Sequence, residues 1–84
     1  MDTYKTDDIS LAAYILASGE QLKEVSLDTP NHFVFFITNS KRCIELSDNF
    51  YLNKPIPIQD FISKRERLIS TIKAKNKGGQ HESR

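Results

Sequence analysis

Few side chains in this sequence are of the kinds that catalyse reactions or bind metals. The chain has two histidines and one cysteine, which are His32, His81 and Cys43. A metal site needs several ligands together, and neither histidine has a second ligand at metal-binding spacing. A nucleophilic pair of Cys43 and His32 would also need a third, orienting group, which nothing in the sequence indicates. We therefore expect no metal, no cofactor and no enzymatic activity.

Two other patterns favour a structural interpretation. Asp7 and Asp8 follow Thr6, so we expect Thr6 to be a helix N-cap and the aspartates to stabilise the first turn by about 0.3–1 kcal/mol. Gly19 stands alone, and the glycine pair at 78–79 is not followed by a helix. Because a phosphate-binding loop needs glycines that lead into a helix, the sequence contains no such motif.

Positive charge is concentrated towards the C-terminus. Residues 61–84 hold seven Lys/Arg and two Asp/Glu, a net charge of +5, whereas residues 1–60 hold five and nine, a net charge of −4; the sum is the overall +1. A basic segment on an acidic body favours contact with a polyanion, most often nucleic acid. We predict that five cations make this contact, namely Lys64, Arg67, Lys73, Lys75 and Lys77. The alternative is a solvated helix face whose lysines complement the helix dipole.

Exposed aromatic rings would add stacking interactions with single-stranded nucleic acid, worth about 1–3 kcal/mol per base. The candidate rings are Phe36, Tyr51 and Tyr4, and we also consider Tyr14, Phe36 and Tyr51 as candidates for a protein interface. The alternative for all of them is packing in the core.

The elements that position these residues are marked by periodicity and punctuation. We predict a helix over 7–18 that ends at Gly19 and is apolar around most of its circumference. Residues 22–27 and 32–38 alternate in strand fashion on either side of the turn residues 28–31, which predicts a hairpin. A second helix, capped by Asn39 or Ser40, is predicted to run to about Tyr51.

A stiff proline-containing connector over 53–58 should precede a third helix that runs to about residue 75. Its predicted core stripe consists of Phe61, Ile62, Leu68, Ile69 and Ile72. Residues 76–84 include no aliphatic side chain, so we expect a disordered basic tail there. The prediction is a single α+β domain over 1–75, of order α-β-β-α-α, with the hairpin packed against the helices and a flexible tail over 76–84.

The sequence also bears on location. No apolar run approaches the ~20 residues of a membrane span, and the N-terminal residues are not those of a signal peptide. A single cysteine is typical of a reducing compartment. We expect a cytoplasmic protein with no membrane contact.

Several segments together resemble a family of short uncharacterised proteins of bacteria, phages and other mobile elements, catalogued as a domain of unknown function. The likeness covers about residues 4–72 and is carried by Tyr4-Lys5-Thr6-Asp7-Asp8, Leu11-Ala12-Ala13-Tyr14-Ile15-Leu16 with Gly19, Phe33-Val34-Phe35, Phe50-Tyr51, and Phe61 with Arg65, Leu68 and Ile72. The resemblance implies no established activity and no catalytic residue. It favours a small accessory factor that touches DNA, RNA, or a replication or defence enzyme.

We therefore predict a small non-enzymatic nucleic-acid-binding accessory protein of a phage or mobile element in a bacterial cytoplasm, acting through its basic C-terminal helix. The alternative is a protein-interaction module without nucleic-acid contact, either a homodimer or a small subunit of a phage or host assembly. This alternative is motivated by the first helix and the strand over 33–37, which carry more apolar surface than one small core hides comfortably.

Overall fold

A computed structural model describes the backbone of residues 3–29 and 32–82, and the side chains of residues 3–27 and 32–75. The elements in chain order are β1 (Thr3–Thr6), α1 (Ile9–Ala17), β2 (Leu22–Thr29), β3 (His32–Thr38), α2 (Ser40–Tyr51) and α3 (Ile58–Glu82). The α+β class and the order of the predicted helix, hairpin and two further helices are confirmed. A short strand, β1, precedes them.

The three described strands form one antiparallel sheet in the order β1-β3-β2. β3 is central, and its residue Ile37 lies opposite Tyr4 of β1 while Phe35 lies opposite Val25 of β2. Alternation along β3 turns Phe35 and Ile37 to the same face of the sheet, and both are almost fully buried. This face supports the helices.

Helix α1 begins later than the sequence predicts, and Thr6 is not its N-cap. The cap is Asp8, whose carboxylate accepts hydrogen bonds from the N–H groups of Ser10 and Leu11 at 3.0 and 3.2 Å. Thr6 instead ends β1 opposite Phe35. Its hydroxyl accepts a hydrogen bond from the Asp8 N–H at 3.1 Å. The pairing of β1 with β3 therefore keeps Thr6 extended, and the helix begins at Ile9, two residues later than predicted.

The core lies between one face of the sheet and the helices, with α1 at its centre. Every residue from Leu11 to Leu16 is buried, because α1 contacts the sheet, α2 and α3. This central position accounts for the apolar circumference of α1. Burial of its two alanines lets neighbouring elements approach closely. The remaining members of the cluster come from the strands and the other two helices: Val25, Phe35, Ile37, Cys43, Leu46 and Leu68.

Helix α3 packs chiefly against α1. Leu68 is 1% exposed, and Phe61 and Ile72 pack against the core, as predicted. Ile62 is 40% exposed, so the predicted core stripe is too broad on this side. The backbone of α3 continues to Glu82. The division into a domain over 1–75 and a flexible tail over 76–84 stays a prediction.

No helix in the part of the chain that the structure describes is both long enough and apolar enough to cross a membrane.

Candidate nucleic-acid interface

The cations of α3 are the first component of the candidate interface. Lys64 is half-buried, whereas Arg65, Arg67, Lys73 and Lys75 are exposed. Among the described side chains, ion pairs join His32 to Asp7 and Arg42 to Glu45. None of the described α3 cations takes part in an ion pair, so their charges remain available to an external anion.

These cations do not form one ridge. At about 100° per residue, Lys64, Arg67 and Lys75 fall within an arc of roughly 80° around the helix axis. We call these three residues the pocket flank, because two of them line a pocket between α1 and α3 that is described next. Lys73 lies on the opposite side of α3, about 180° from Lys64 by the same geometry. The sequence grouped Lys73 with the others, but the helix separates them, and the side chain of Lys77 lies outside the described residues.

Two members of the pocket flank, Lys64 and Arg67, line a pocket of about 420 Å³ between α3, the end of α1 and the start of β2. We call it the α1–α3 pocket. Its lining combines apolar, acidic, amide, hydroxyl and cationic side chains: Leu16, Glu20, Gln21, Leu22, Lys64, Arg67, Leu68 and Thr71. Two of the five predicted nucleic-acid-binding residues, Lys64 and Arg67, are thus brought to one concave surface.

The wall opposite α3 is held by backbone hydrogen bonds at the end of α1. Gly19 has a φ of 113°, a conformation that side chains disfavour, and it ends the helix. The next residue, Glu20, donates its N–H to the Ile15 carbonyl at 3.4 Å. The Gln21 carbonyl accepts both the N–H and the hydroxyl of Thr38, at 3.0 and 3.3 Å. The backbone that carries the Glu20 and Gln21 side chains is therefore fixed to both α1 and the sheet.

Helix α3 supplies the cationic wall. Lys64 and Arg67 are three residues apart, a spacing that places side chains next to each other on a helix. Thr71 completes this side, and its hydroxyl donates to the Arg67 carbonyl at 2.9 Å. Buried Leu68 lies between the cations and the core. Such a pocket can bind a molecule that has an anionic group and an apolar body.

The candidate aromatic rings lie in different environments. Tyr14 is buried, packs edge-to-face against Phe50 with ring centroids 5.5 Å apart, and donates its hydroxyl to the Lys54 carbonyl at 3.2 Å. Tyr14 is thus a core residue and not an accessible ring, because α1 is covered on that side by α2 and the connector. Tyr51 is 66% exposed, while Phe36 and Tyr4 are half-buried. No candidate ring lines the α1–α3 pocket.

Exposed apolar side chains recur near the junction of α2 and α3, and of these the sequence predicted only Tyr51 as an interface candidate. Four exposed side chains lie at the end of α2, in the turn after it and at the start of α3: Tyr51, Leu52, Ile58 and Ile62, which are between 40% and 69% exposed. We call them the α2–α3 apolar surface. The prolines between these helices gave a signal for a connector but not for its exposed apolar neighbours.

The side chains with catalytic potential are separated. Cys43 is fully buried, and its thiol donates a hydrogen bond to the Thr38 carbonyl at 3.4 Å. Burial is the larger cause, and the nearby carboxylate of Glu20 the smaller one, that raises the pKa of this thiol to about 11. His32 lies at the other end of β3, about 20 Å along the strand from Thr38 at some 3.3 Å per residue, and its Nε2 is 2.9 Å from Oδ2 of Asp7. They cannot form a nucleophilic pair. Within the described residues, no three His, Cys, Asp or Glu side chains converge as metal ligands.

Sequence reasoning found the cations of the candidate site but missed its opposite wall. Glu20 and Gln21 lie more than 40 residues before Lys64. Polar residues after a helix end are typical of any turn, so their types gave no functional signal. Only the packing of α3 on α1 brings them to the same pocket.

Comparison with known proteins places the chain in a family without adding an activity. No curated protein and no solved structure is significantly similar to it. The family described as Domain of unknown function (DUF5659) matches residues 1–75. Since this match covers nearly the whole of the described fold, the chain belongs to the family Domain of unknown function (DUF5659).

Proposed function

We propose that the protein is a small non-enzymatic nucleic-acid-binding accessory protein that contacts phosphates through the pocket flank of α3. The observation that carries the proposal is the placement of Lys64, Arg67 and Lys75 along one side of α3 with no described carboxylate paired to them. Unpaired cations in a row match the spacing of a polyanion better than they match a neutralised surface.

In this proposal the phosphates contact the pocket flank and not the outermost face of α3. The residues between Arg67 and Lys73 around the helix include Glu66 and Ser70, which add no positive charge there. A nucleic-acid strand would therefore follow the edge where α3 meets α1 and β2. The side chain of Lys77 lies outside the described residues, so its predicted phosphate contact stays a prediction.

The proposal extends to the setting of the protein. We propose a cytoplasmic protein of a bacterial host, phage or other mobile element, in keeping with the genomes of the family that the sequence resembles.

Fluorescence anisotropy with labelled single-stranded and duplex oligonucleotides tests the proposal. We expect binding at about 50 mM salt that weakens strongly by about 200 mM, because phosphate contacts release counterions. No binding of either oligonucleotide at about 50 mM salt would overturn the proposal.

A second candidate function, a protein-interaction module, is supported by the α2–α3 apolar surface. Its residues Ile58 and Ile62, together with half-buried Ile69, are spaced by four and seven residues, so they lie on one side of α3. A helix of this kind suits a second copy of the same chain, which would cover one surface with its equivalent.

Sedimentation velocity distinguishes this candidate from the first. A dimer that becomes monomeric in Ile58→Glu, but not in the control Ile44→Glu on α2, would support it. Ile44 is a matched control because it is 55% exposed and lies outside the α2–α3 apolar surface. A monomer at high protein concentration would rule out the homodimer.

A further inference from the structure

The α1–α3 pocket is larger than isolated phosphate contacts require. Its volume of about 420 Å³ falls in the range of about 300–1,000 Å³ that is typical of small-molecule sites. A phosphate held by surface cations needs no cavity. The concavity has room for a group larger than a phosphate.

The chemistry of the pocket is divided between its walls. The cations come from α3, as Lys64 and Arg67, whereas the carboxylate of Glu20 comes from the segment after α1. Three leucines, Leu16, Leu22 and Leu68, also line the pocket. A matching ligand combines an anionic group, an apolar surface and hydrogen-bond donors. A nucleotide has all three.

Glu20 narrows the choice of base. An ionised carboxylate only accepts hydrogen bonds, and it accepts two when a partner presents two adjacent N–H groups. Guanine presents such a pair, N1–H and the N2 amino group, on its Watson–Crick edge. Adenine and cytosine have an acceptor nitrogen beside their amino group, and thymine has one N–H between two carbonyls. Guanine is therefore the base that best matches a carboxylate.

The same edge indicates that the nucleic acid is single-stranded. In a duplex the N1–H and amino group of guanine are paired with cytosine, and the base is stacked between its neighbours. An unpaired base can leave the stack and present its Watson–Crick edge to a protein. The cations beside the pocket would hold the adjoining phosphates.

We infer that the α1–α3 pocket receives one unpaired guanine of a single-stranded nucleic acid, with Glu20 accepting from its Watson–Crick edge and Lys64 and Arg67 contacting the adjoining phosphate. This inference rests on the proposed nucleic-acid-binding function and adds its specificity.

The test compares labelled ten-residue thymidine oligonucleotides that differ at one central position. This position is guanine, cytosine, thymine or an abasic site, so every oligonucleotide carries the same phosphates. We expect the guanine oligonucleotide to bind about tenfold more tightly than the thymine and abasic ones, the discrimination typical of a bidentate contact to a base. Circular dichroism checks that each protein variant described below is folded.

Two variants locate the selectivity. Glu20→Gln should bring the affinity for guanine to within about twofold of that for thymine, because an amide presents one acceptor and one donor group. Glu24→Gln is the matched control, since Glu24 is an exposed carboxylate on β2 outside the pocket. This variant should keep the full preference.

The possible failures are distinguishable. Equal binding of all four oligonucleotides would overturn the guanine pocket and leave the proposed phosphate contact standing. A preference for cytosine, or a guanine preference that survives Glu20→Gln, would also overturn the inference. Absence of binding to every oligonucleotide would overturn both the inference and the proposed function.

Discussion

Cys43 shows how burial removes the reactivity of the one thiol. Its side chain is fully buried, and the rise of its pKa from 9.0 to about 11 lowers its thiolate content near neutral pH. Because the thiolate is the reactive form, two pKa units correspond to about 100-fold less of it. We expect native protein at pH 8 to react with a thiol reagent at least about 100-fold more slowly than protein unfolded in urea. Immediate labelling of native protein would contradict this account.

The pair of Asp7 and His32 predicts a small pH dependence at the residue scale. The hydrogen bond from the imidazole, 2.9 Å long, lowers the pKa of the Asp7 carboxyl below its usual value of 3.8. A lowered pKa in the folded state gives stability that is present above the usual value and is lost as pH falls through the lowered one. We expect Asp7→Asn to be less stable than wild type at pH 6, with the difference vanishing towards pH 2. Urea unfolding at several pH values measures it, and a constant difference would contradict it.

At the scale of elements, the attachment of α3 depends on Leu68. This side chain is 1% exposed and is the residue of α3 that enters the buried cluster. Leu68→Ala should lower the free energy of unfolding by about 2–5 kcal/mol, because it leaves a cavity between α3 and α1. Ile62→Ala is the control and should cost much less, since Ile62 is 40% exposed. Equal costs in urea unfolding would mean that the assigned phase of α3 is wrong.

Asn39 combines two roles at the start of α2. It has a φ of 65° and a ψ of 68°, and its side chain accepts a hydrogen bond from the Arg42 N–H at 3.3 Å. Asn39→Ala removes the cap and keeps a strained conformation, so we expect a loss of about 1–3 kcal/mol. Asn39→Gly removes the cap without the strain and should be the more stable variant. Thermal unfolding compares the stabilities of the two variants. An Asn39→Ala variant more stable than Asn39→Gly would contradict the expected strain.

The elements differ in how far local sequence determines them. Asn39 and Ser40 were both predicted as possible caps of α2 because residue type and position are local signals, and the structure has Asn39 as the cap. Strand β1 was missed because Thr3–Thr6 is short and has one large apolar residue, Tyr4. Its extended form depends on pairing with residues of β3 that are 29 to 35 positions away in the chain. The same pairing displaced the cap from Thr6 to Asp8. Helix α1, with a strong apolar pattern and Gly19 after it, was predicted almost to its last residue.

At the scale of the whole molecule, the sequence predicted that positive charge is concentrated in α3 but not how it is divided. Helical geometry, given the phase fixed by Leu68, directs Arg67 and Lys73 to different sides. The pocket could not be predicted, because Glu20 reaches Lys64 only when α3 packs on α1. Composition therefore gives a prediction about the kind of partner, whereas the arrangement of the candidate site depends on contacts distant in sequence.

This division leads to a prediction about salt dependence. If the pocket flank contacts phosphates, Lys64→Gln and Arg67→Gln should each reduce the slope of log affinity against log salt for a single strand by about 0.7, the value expected for one lost contact. Lys73→Gln removes the same charge from the opposite side of α3 and should leave the slope nearly unchanged. The affinity of each variant is measured by anisotropy at four salt concentrations.

The comparison separates a local interface from a general attraction. A protein that attracts nucleic acid through its overall charge would lose the same affinity with any of the three substitutions, because each lowers the net charge by one. Equal slopes for Lys73→Gln and Arg67→Gln would therefore contradict a contact on one side of α3. A reduced salt slope in Lys64→Gln and Arg67→Gln but not in Lys73→Gln would mean that the nucleic-acid strand runs along the edge where α3 meets α1. At this edge both cations lie beside a concave surface.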